Sequence, residues 1–174
     1  IMMNGTVAGT YDETSLSKDF AMTLLASNGS DEITLAESEP GSTTNNFGDT
    51  LTVVQRVSLS EDYTLLEHLK SVLLSIGNTS TATSGDLYLV VYNATGDVVG
   101  IDIQQYETDV DEYTFTFGRT LPLSQDTYYD LMLAAPFTEN DYDYEVALSD
   151  TAFTCADVSC GAAEWDLTGT GMDF

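Results

Sequence analysis

The sequence predicts an all-β protein: a jelly-roll-like β-sandwich of about eight or nine strands, with one short helix and an extended N-terminal strand. Three observations carry this expectation. Short runs of two-residue alternation recur along the chain, clearest in Tyr113, Phe115 and Phe117 set against Thr114 and Thr116. Turn-forming residues separate those runs at the spacing typical of sandwiches and jelly rolls. A hydrophobic fraction of 43% is ample for a core, so the acidity of the chain is not that of a disordered polymer. At 174 residues one domain is expected, with residues 1–11 as an extended strand and 12–174 as the sandwich.

The elements follow in order. Ile1–Tyr11 is extended in character and apolar at its tip, and an exposed apolar segment needs a surface to cover it. Phe20–Ala26 and Glu32–Ala36 are short strands separated by a turn at Asn28-Gly-Ser30. Residues 37–50 hold Pro40, Gly41, Ser42, Asn45, Asn46 and Gly48, and read as a long surface loop. Leu51–Leu59 alternates, with Leu51, Val53, Gln55 and Val57 on one side. The period then changes. Ser60-Glu-Asp resembles a helix cap, and Leu65, Leu66, Leu69, Val72, Leu73 and Ile76 stand at helical spacing. A short helix near Asp62–Lys70 running into a strand is expected, ending at Gly77-Asn78.

Asp86–Tyr92 and Val98–Gln104 flank a five-residue connection containing Gly96, a β-hairpin signal. Strands are further expected at Glu112–Phe117, Tyr128–Ala134 and Tyr142–Leu148. The C-terminal segment 161–174, with Trp165, Leu167, Met172 and Phe174 among glycines, is expected to dock on the sheet or on a neighbouring subunit.

Charge bounds the environment. Lys18, Arg56, Lys70 and Arg119 stand against 29 acidic residues, for a formal net charge of −25. Such a chain repels itself in dilute buffer and requires screening or neutralisation. Adaptation to molar salt is one reading, consistent with Asp outnumbering Glu; a surface rich in Ca²⁺ sites is the other. On a strand, Asp141, Asp143 and Glu145 share one face, with Glu139 just before them, while Tyr142, Tyr144 and Val146 point the other way. Asp109, Asp111 and Glu112 form a second cluster. These seven carboxylates are the metal-ligating candidates, with Ca²⁺ as the expected ion; a salt-screened acidic face is the plainer alternative. Nucleic acid and anionic membrane surfaces are disfavoured partners, because like charges would meet. No apolar run is long enough to span a membrane.

Cys155 and Cys160 are spaced for a local disulfide. Asn4, Asn28, Asn78 and Asn93 each fit the N-glycosylation acceptor pattern. Both features point to a secreted chain, and Ile1-Met2-Met3 reads as a mature start from which a leader has gone. His68, the one histidine, reads as a helical surface residue. No nucleophile elbow or phosphate-binding glycine loop occurs, and paired carboxylates arise by chance among so many acids, so no enzyme is expected.

The stretches Leu66-Glu-His-Leu-Lys-Ser-Val-Leu-Leu-Ser-Ile76 and Leu89-Val-Val-Tyr-Asn-Ala-Thr95 resemble passages in the β-sandwich subunits of archaeal extracellular filaments and tubes, namely TasA-like bundling pili and cannula-type proteins. The resemblance implies a homopolymer in which the N-terminal strand is donated to the next subunit. Its polymerisation residues here would be Ile1, Met2, Met3, Thr6, Val7 and Tyr11. The alternatives are a monomeric secreted module that binds carbohydrate or a surface partner, and a surface protein of a salt-living virus. A module would tuck the N-terminal strand into its own sheet.

Overall fold

The computed structural model describes residues 10–15, 18, 20–27, 32–49, 51–59, 68–79, 84–122, 128–136, 138, 143–149 and 158–168. Its strands are β1 (Thr10–Ser15), β2 (Met22–Ser27), β3 (Glu32–Glu37), β4 (Pro40–Phe47), β5 (Leu51–Leu59) and β6 (His68–Asn78). They continue as β7 (Asp86–Asn93), β8 (Val98–Gln105), β9 (Glu112–Pro122), β10 (Tyr128–Ala134), β11 (Tyr144–Ser149) and β12 (Val158–Thr168). Among the described residues there is no helix.

Two antiparallel sheets pack face to face as a β-sandwich. The first runs β1-β12-β5-β10-β7-β8, and the second β3-β2-β6-β11-β4 with β9 on the free side of β6. The sheets meet at two corners. At one, β8 lies beside β9; at the other, β4 turns into β5, closed by the Gly48 amide donating to the Leu51 carbonyl at 2.9 Å. β12 and β1 therefore continue the first sheet past the β4–β5 corner.

Alternation builds the core. Val53, Val57, Leu87, Leu89, Val91, Leu131 and Leu133 face Met22, Leu24, Val72, Leu74, Ile76, Phe115, Val146 and Leu148 in one continuous cluster. Tyr113, Phe115 and Phe117 all belong to it, so the aromatic stripe of β9 points inward. Gln55, completely buried, lies with Val53 and Val57 as the period requires. Its Oε1 accepts the Phe20 amide at 2.8 Å, a polar tie between the sheets that satisfies a buried N–H group.

Two sequence expectations are corrected. Residues 37–50 are not a loop, since Pro40–Phe47 form β4 against β11. The composition is that of a turn, but the neighbouring strand supplies the ladder that local propensity does not. The expected helix near Asp62–Lys70 falls partly on residues 61–67, which lie outside the described residues; its last three residues, His68, Leu69 and Lys70, open strand β6. Leu69 and Val72 are both buried although three residues apart. The register of β2 explains this, pairing Ala26 with Leu69 and Leu25 with Ser71, so that Lys70 is the extra residue of a bulge. A bulge in a strand has produced what reads as helical spacing. At the C-terminus, Val158–Thr168 form β12, paired with β5 on one side and β1 on the other, so residues 161–168 take the first of the two expected placements and dock on the sheet of their own chain.

The β7–β8 hairpin turns at Asn93–Asp97. Asn93 Oδ1 accepts the Thr95 and Asp97 amides at 3.1 and 2.9 Å, and Gly96 supplies the positive φ of 84°.

A close approach fixes the core at Tyr144. This completely buried ring packs on Tyr106 and Phe47 with centroids 4.9 and 5.7 Å away, and its hydroxyl donates to the Ser84 carbonyl at 3.2 Å. A Cβ added at Gly85 would stand 2.1 Å from that hydroxyl. Gly85→Ala is therefore expected to destabilise the fold by roughly 1–3 kcal/mol through overpacking, read as a lower urea midpoint. An unchanged midpoint would contradict the close approach.

Candidate functional site

Five of the seven carboxylates that the sequence offers as metal ligands lie among the described residues. Asp109 and Asp111 lie on the β8–β9 connection and Glu112 opens β9, all three exposed. This connection is held by its backbone: the Val110 amide donates to the Glu107 carbonyl at 3.1 Å, and the Ile76 amide to the Asp111 carbonyl at 3.0 Å. Tyr113 clamps its base, its hydroxyl donating to the Glu107 carbonyl at 3.0 Å and accepting the Glu107 amide at 2.9 Å.

Glu139 and Asp141 lie outside the described residues. β11 starts at Tyr144, so of Asp141, Asp143 and Glu145 only Glu145 stands within the strand. Asp143 precedes it and is buried, 4% exposed, rather than part of a solvated acidic row. Glu145 accepts the Thr44 hydroxyl at 2.7 Å across the β4–β11 pair. Among the described residues no three His, Cys, Asp or Glu side chains gather closely enough to hold a metal ion.

The remaining sequence-derived positions divide similarly. Ile1, Met2, Met3, Thr6 and Val7 lie outside the described residues, whereas Tyr11 sits in β1 opposite Leu167 of the same chain. Asn4 and Asn28 are outside them as well; Asn78 ends β6 and Asn93 begins the hairpin turn, each half-buried. Cys155 lies outside, and Cys160 is in β12 at the register of Val57. Trp165 pairs with Thr52 on one side and Glu13 on the other. His68 is the first residue of β6, paired with Ser27 and Pro122.

Sequence reasoning missed a second apolar cluster. Val54, Tyr88, Val90, Tyr92, Met132 and Ala134 are buried on the face of the first sheet that points away from the core, with Val98 and Ile101 packed against them. The signal was present: Leu87–Tyr92 and Leu131–Ala135 are continuous apolar runs, the pattern of strands buried on both faces. An ion pair borders the cluster. Arg56 Nε and Nη2 donate to Asp130 Oδ1 and Oδ2, both at 2.8 Å, and the guanidinium stacks 3.9 Å above the Tyr128 ring. Bidentate geometry and stacking are specific to arginine. With Asp130 buried and Arg56 about half exposed, the pair retains part of its Coulombic attraction against solvent screening.

One small cleft, about 150 Å³, opens on the second sheet where Glu37, Ser38 and Glu39 approach Ser75 and Glu112. Asp97 in the hairpin turn is held below the usual carboxylate range by hydrogen bonds from Thr95 and Asn93. Burial pushes the Tyr92 phenol up to about 12. Burial, then the charge of Asp143, does the same for Tyr144. Among the described residues no helix is long and apolar enough to cross a membrane.

A raised phenol favours the neutral form in the fold, so its stabilisation is complete below the unfolded value near 10 and is lost as pH rises towards 12. Absorbance titration should show phenols that ionise after the rest, one removed by Tyr92→Phe and another by Tyr144→Phe. Urea stability should fall between pH 10 and 12. Ionisation of every tyrosine in one step near 10 would contradict this.

A scan of family models and searches of characterised proteins and of solved structures found nothing that matches the chain.

Proposed function

We propose that this protein is a structural subunit of an extracellular archaeal filament, tube or surface layer, joined end to end by donation of its N-terminal segment to the next subunit. The observation that carries the reading is the position of β1. It is the outermost strand of the first sheet, beyond the β4–β5 corner, so Thr10, which follows the proposed donor residues, stands at the rim of the sandwich. Those nine residues hold Ile1, Met2, Met3 and Val7 and no charge, in a chain whose net charge is −25. An uncharged extended segment can add to a neighbouring sheet through main-chain hydrogen bonds without bringing carboxylates together. A Cys155–Cys160 disulfide, N-glycans on the acceptor asparagines and Ca²⁺ on the acidic surface belong to the same extracellular reading.

The pairing of Thr10 and Tyr11 with β12 of their own chain limits the donated segment to residues 1–9. It also favours the second reading, a monomeric secreted module binding carbohydrate or a surface partner. Deleting residues 1–9 while leaving β1 in place separates the two. A subunit should lose polymer in electron micrographs and keep its melting temperature; polymer that persists, or a full chain that stays monomeric under all salt conditions, would sink the proposal.

Cations are expected to hold the fold or the assembly together. Diffuse screening needs ionic strength alone, since the Debye length falls to about 3 Å at 1 M salt. Site binding needs only a low concentration of the right ion, by mass action. Melting temperature and polymer content should therefore be compared in low salt, in molar NaCl, and in low salt with millimolar Ca²⁺. Rescue by NaCl alone identifies screening, and rescue by Ca²⁺ alone identifies sites. Indifference to both would remove the electrostatic argument.

A further inference from the structure

Of the asparagines that fit the N-glycosylation acceptor pattern, Asn78 and Asn93 lie among the described residues. The motif alone ranks them equally. The fold does not, because it gives their two carboxamides opposite settings.

Asn93 opens the β7–β8 turn. Its amide donates to the Asp97 carbonyl at 3.0 Å and its carbonyl accepts the Gly96 amide at 2.9 Å, which closes a loop of Ala94, Thr95 and Gly96. With Gly96 at a φ of 84°, this is a type I turn followed by a bulge. Ala94, Thr95, Gly96 and Asp97 are all exposed. The Asn93 carboxamide has its two ends sorted. Oδ1 accepts the Thr95 amide at 3.1 Å and the Asp97 amide at 2.9 Å. Backbone N–H groups only donate, so the atom facing them is the oxygen and the orientation is fixed. The Thr95 hydroxyl, which the motif demands, stands 2.7 Å from Oδ1 and 2.6 Å from Asp97 Oδ2, its one proton shared between them. Nδ2 is left with a single long contact, 3.4 Å to the exposed Asp97 carboxylate.

Asn78 is set the other way. It ends β6 two residues after Ile76, and side chains two apart on a strand share a face. Ile76 belongs to the core. Across the ladder Asn78 stands opposite Tyr144, whose ring is completely buried. Its carboxamide therefore leaves β6 on the core face of the second sheet. A sugar on that face must displace packed side chains.

We propose that Asn93 carries an N-linked glycan and that Asn78 does not. The inference rests on the extracellular reading above and deepens it by naming the modified residue. In the transfer, Asn93 Nδ2 attacks C1 of a sugar held on a polyprenyl phosphate carrier. The C1–N bond forms, the C1–O bond to the phosphate breaks with its electron pair going to the phosphate, and Nδ2 gives up one proton. One N–H remains to face Asp97, and Oδ1 keeps all its donors, so the turn loses no hydrogen bond on modification. The register sets the glycan far from the proposed terminal contact. Asn93 is level with Tyr129, Val57 and Cys160 across the first sheet, and Cys160 lies near one end of β12 while Thr168, the partner of Thr10, lies at the other.

The test exports the full chain behind a secretion leader in an archaeal host that N-glycosylates its own surface proteins, and maps glycopeptides by mass spectrometry. No Lys or Arg separates the two asparagines, so cleavage before Asp86 by an Asp-specific protease puts them on different peptides. A sugar on the peptide holding Asn93 and none on that holding Asn78 is expected. Ala94→Pro separates the motif from the turn. It blocks the acceptor pattern, while proline is favoured at that position of a type I turn, so the glycan should be lost and the β-sheet circular dichroism kept. Asn78→Gln should leave the attached sugar unchanged. Bare Asn93 in the exported chain, a sugar on Asn78, or a sugar at Asn93 that survives Ala94→Pro would each overturn the assignment. Electron micrographs of the same preparations keep the two readings apart: filaments with bare Asn93 defeat only this assignment, and glycosylated Asn93 on chains that stay monomeric defeats only the terminal donation.

Discussion

Self-repulsion is the condition under which this molecule folds. With 29 acidic residues and four basic ones, each carboxylate taken from water needs a hydrogen bond or a cation, and most must stay at the surface. The few cations are placed accordingly. Arg56 is committed to buried Asp130 and stacked on Tyr128. Lys70, the bulge residue of β6, pairs with Glu32 on β3, and Lys18 reaches Thr43 on β4. Each joins neighbouring strands or marks a rim, so a small positive inventory serves as a set of staples rather than as a general counter-charge.

Against that repulsion stands a core of unusual continuity. The first sheet is buried on both faces over β5, β7 and β10, with Leu89 and Val91 turned to one side and Val90 and Tyr92 to the other. Aromatic residues concentrate around Tyr144, whose ring meets Phe47 and Tyr106, and Tyr106 in turn stacks on Tyr113. The Tyr144 and Tyr113 phenols keep their polar ends satisfied by main-chain groups of Ser84 and Glu107. Burial on this scale works against charge repulsion, and it requires the small residue at Gly85 to admit the Tyr144 hydroxyl.

The same constraint distributes function to the rims. Acidic rim strands resist association, as charged edges do in soluble β-proteins, and the β8–β9 corner is further closed by Asp102. Among the described rim strands, β4 alone carries no ionisable side chain. The proposed terminal contact is placed where charge is missing, in residues 1–9.

Sequence alone determined what depends on local alternation. The sandwich class, the inward stripe of Tyr113, Phe115 and Phe117, the position of Gln55 among apolar neighbours and the Gly96 hairpin were all legible, because a two-residue period states which side is buried before any partner is known. The acid clusters were legible as composition but not as geometry, since Asp143 is buried just before β11 while Glu145 stands within that strand. Tertiary structure decided the rest. A polar segment became strand β4 because β11 offered it a ladder, a helical spacing became β6 because β2 accommodates a bulge at Lys70, and Arg56 found Asp130 74 positions away. Ladders, bulges and ion pairs form between segments distant in the chain, and no local pattern encodes a partner that only the folded sheet brings alongside.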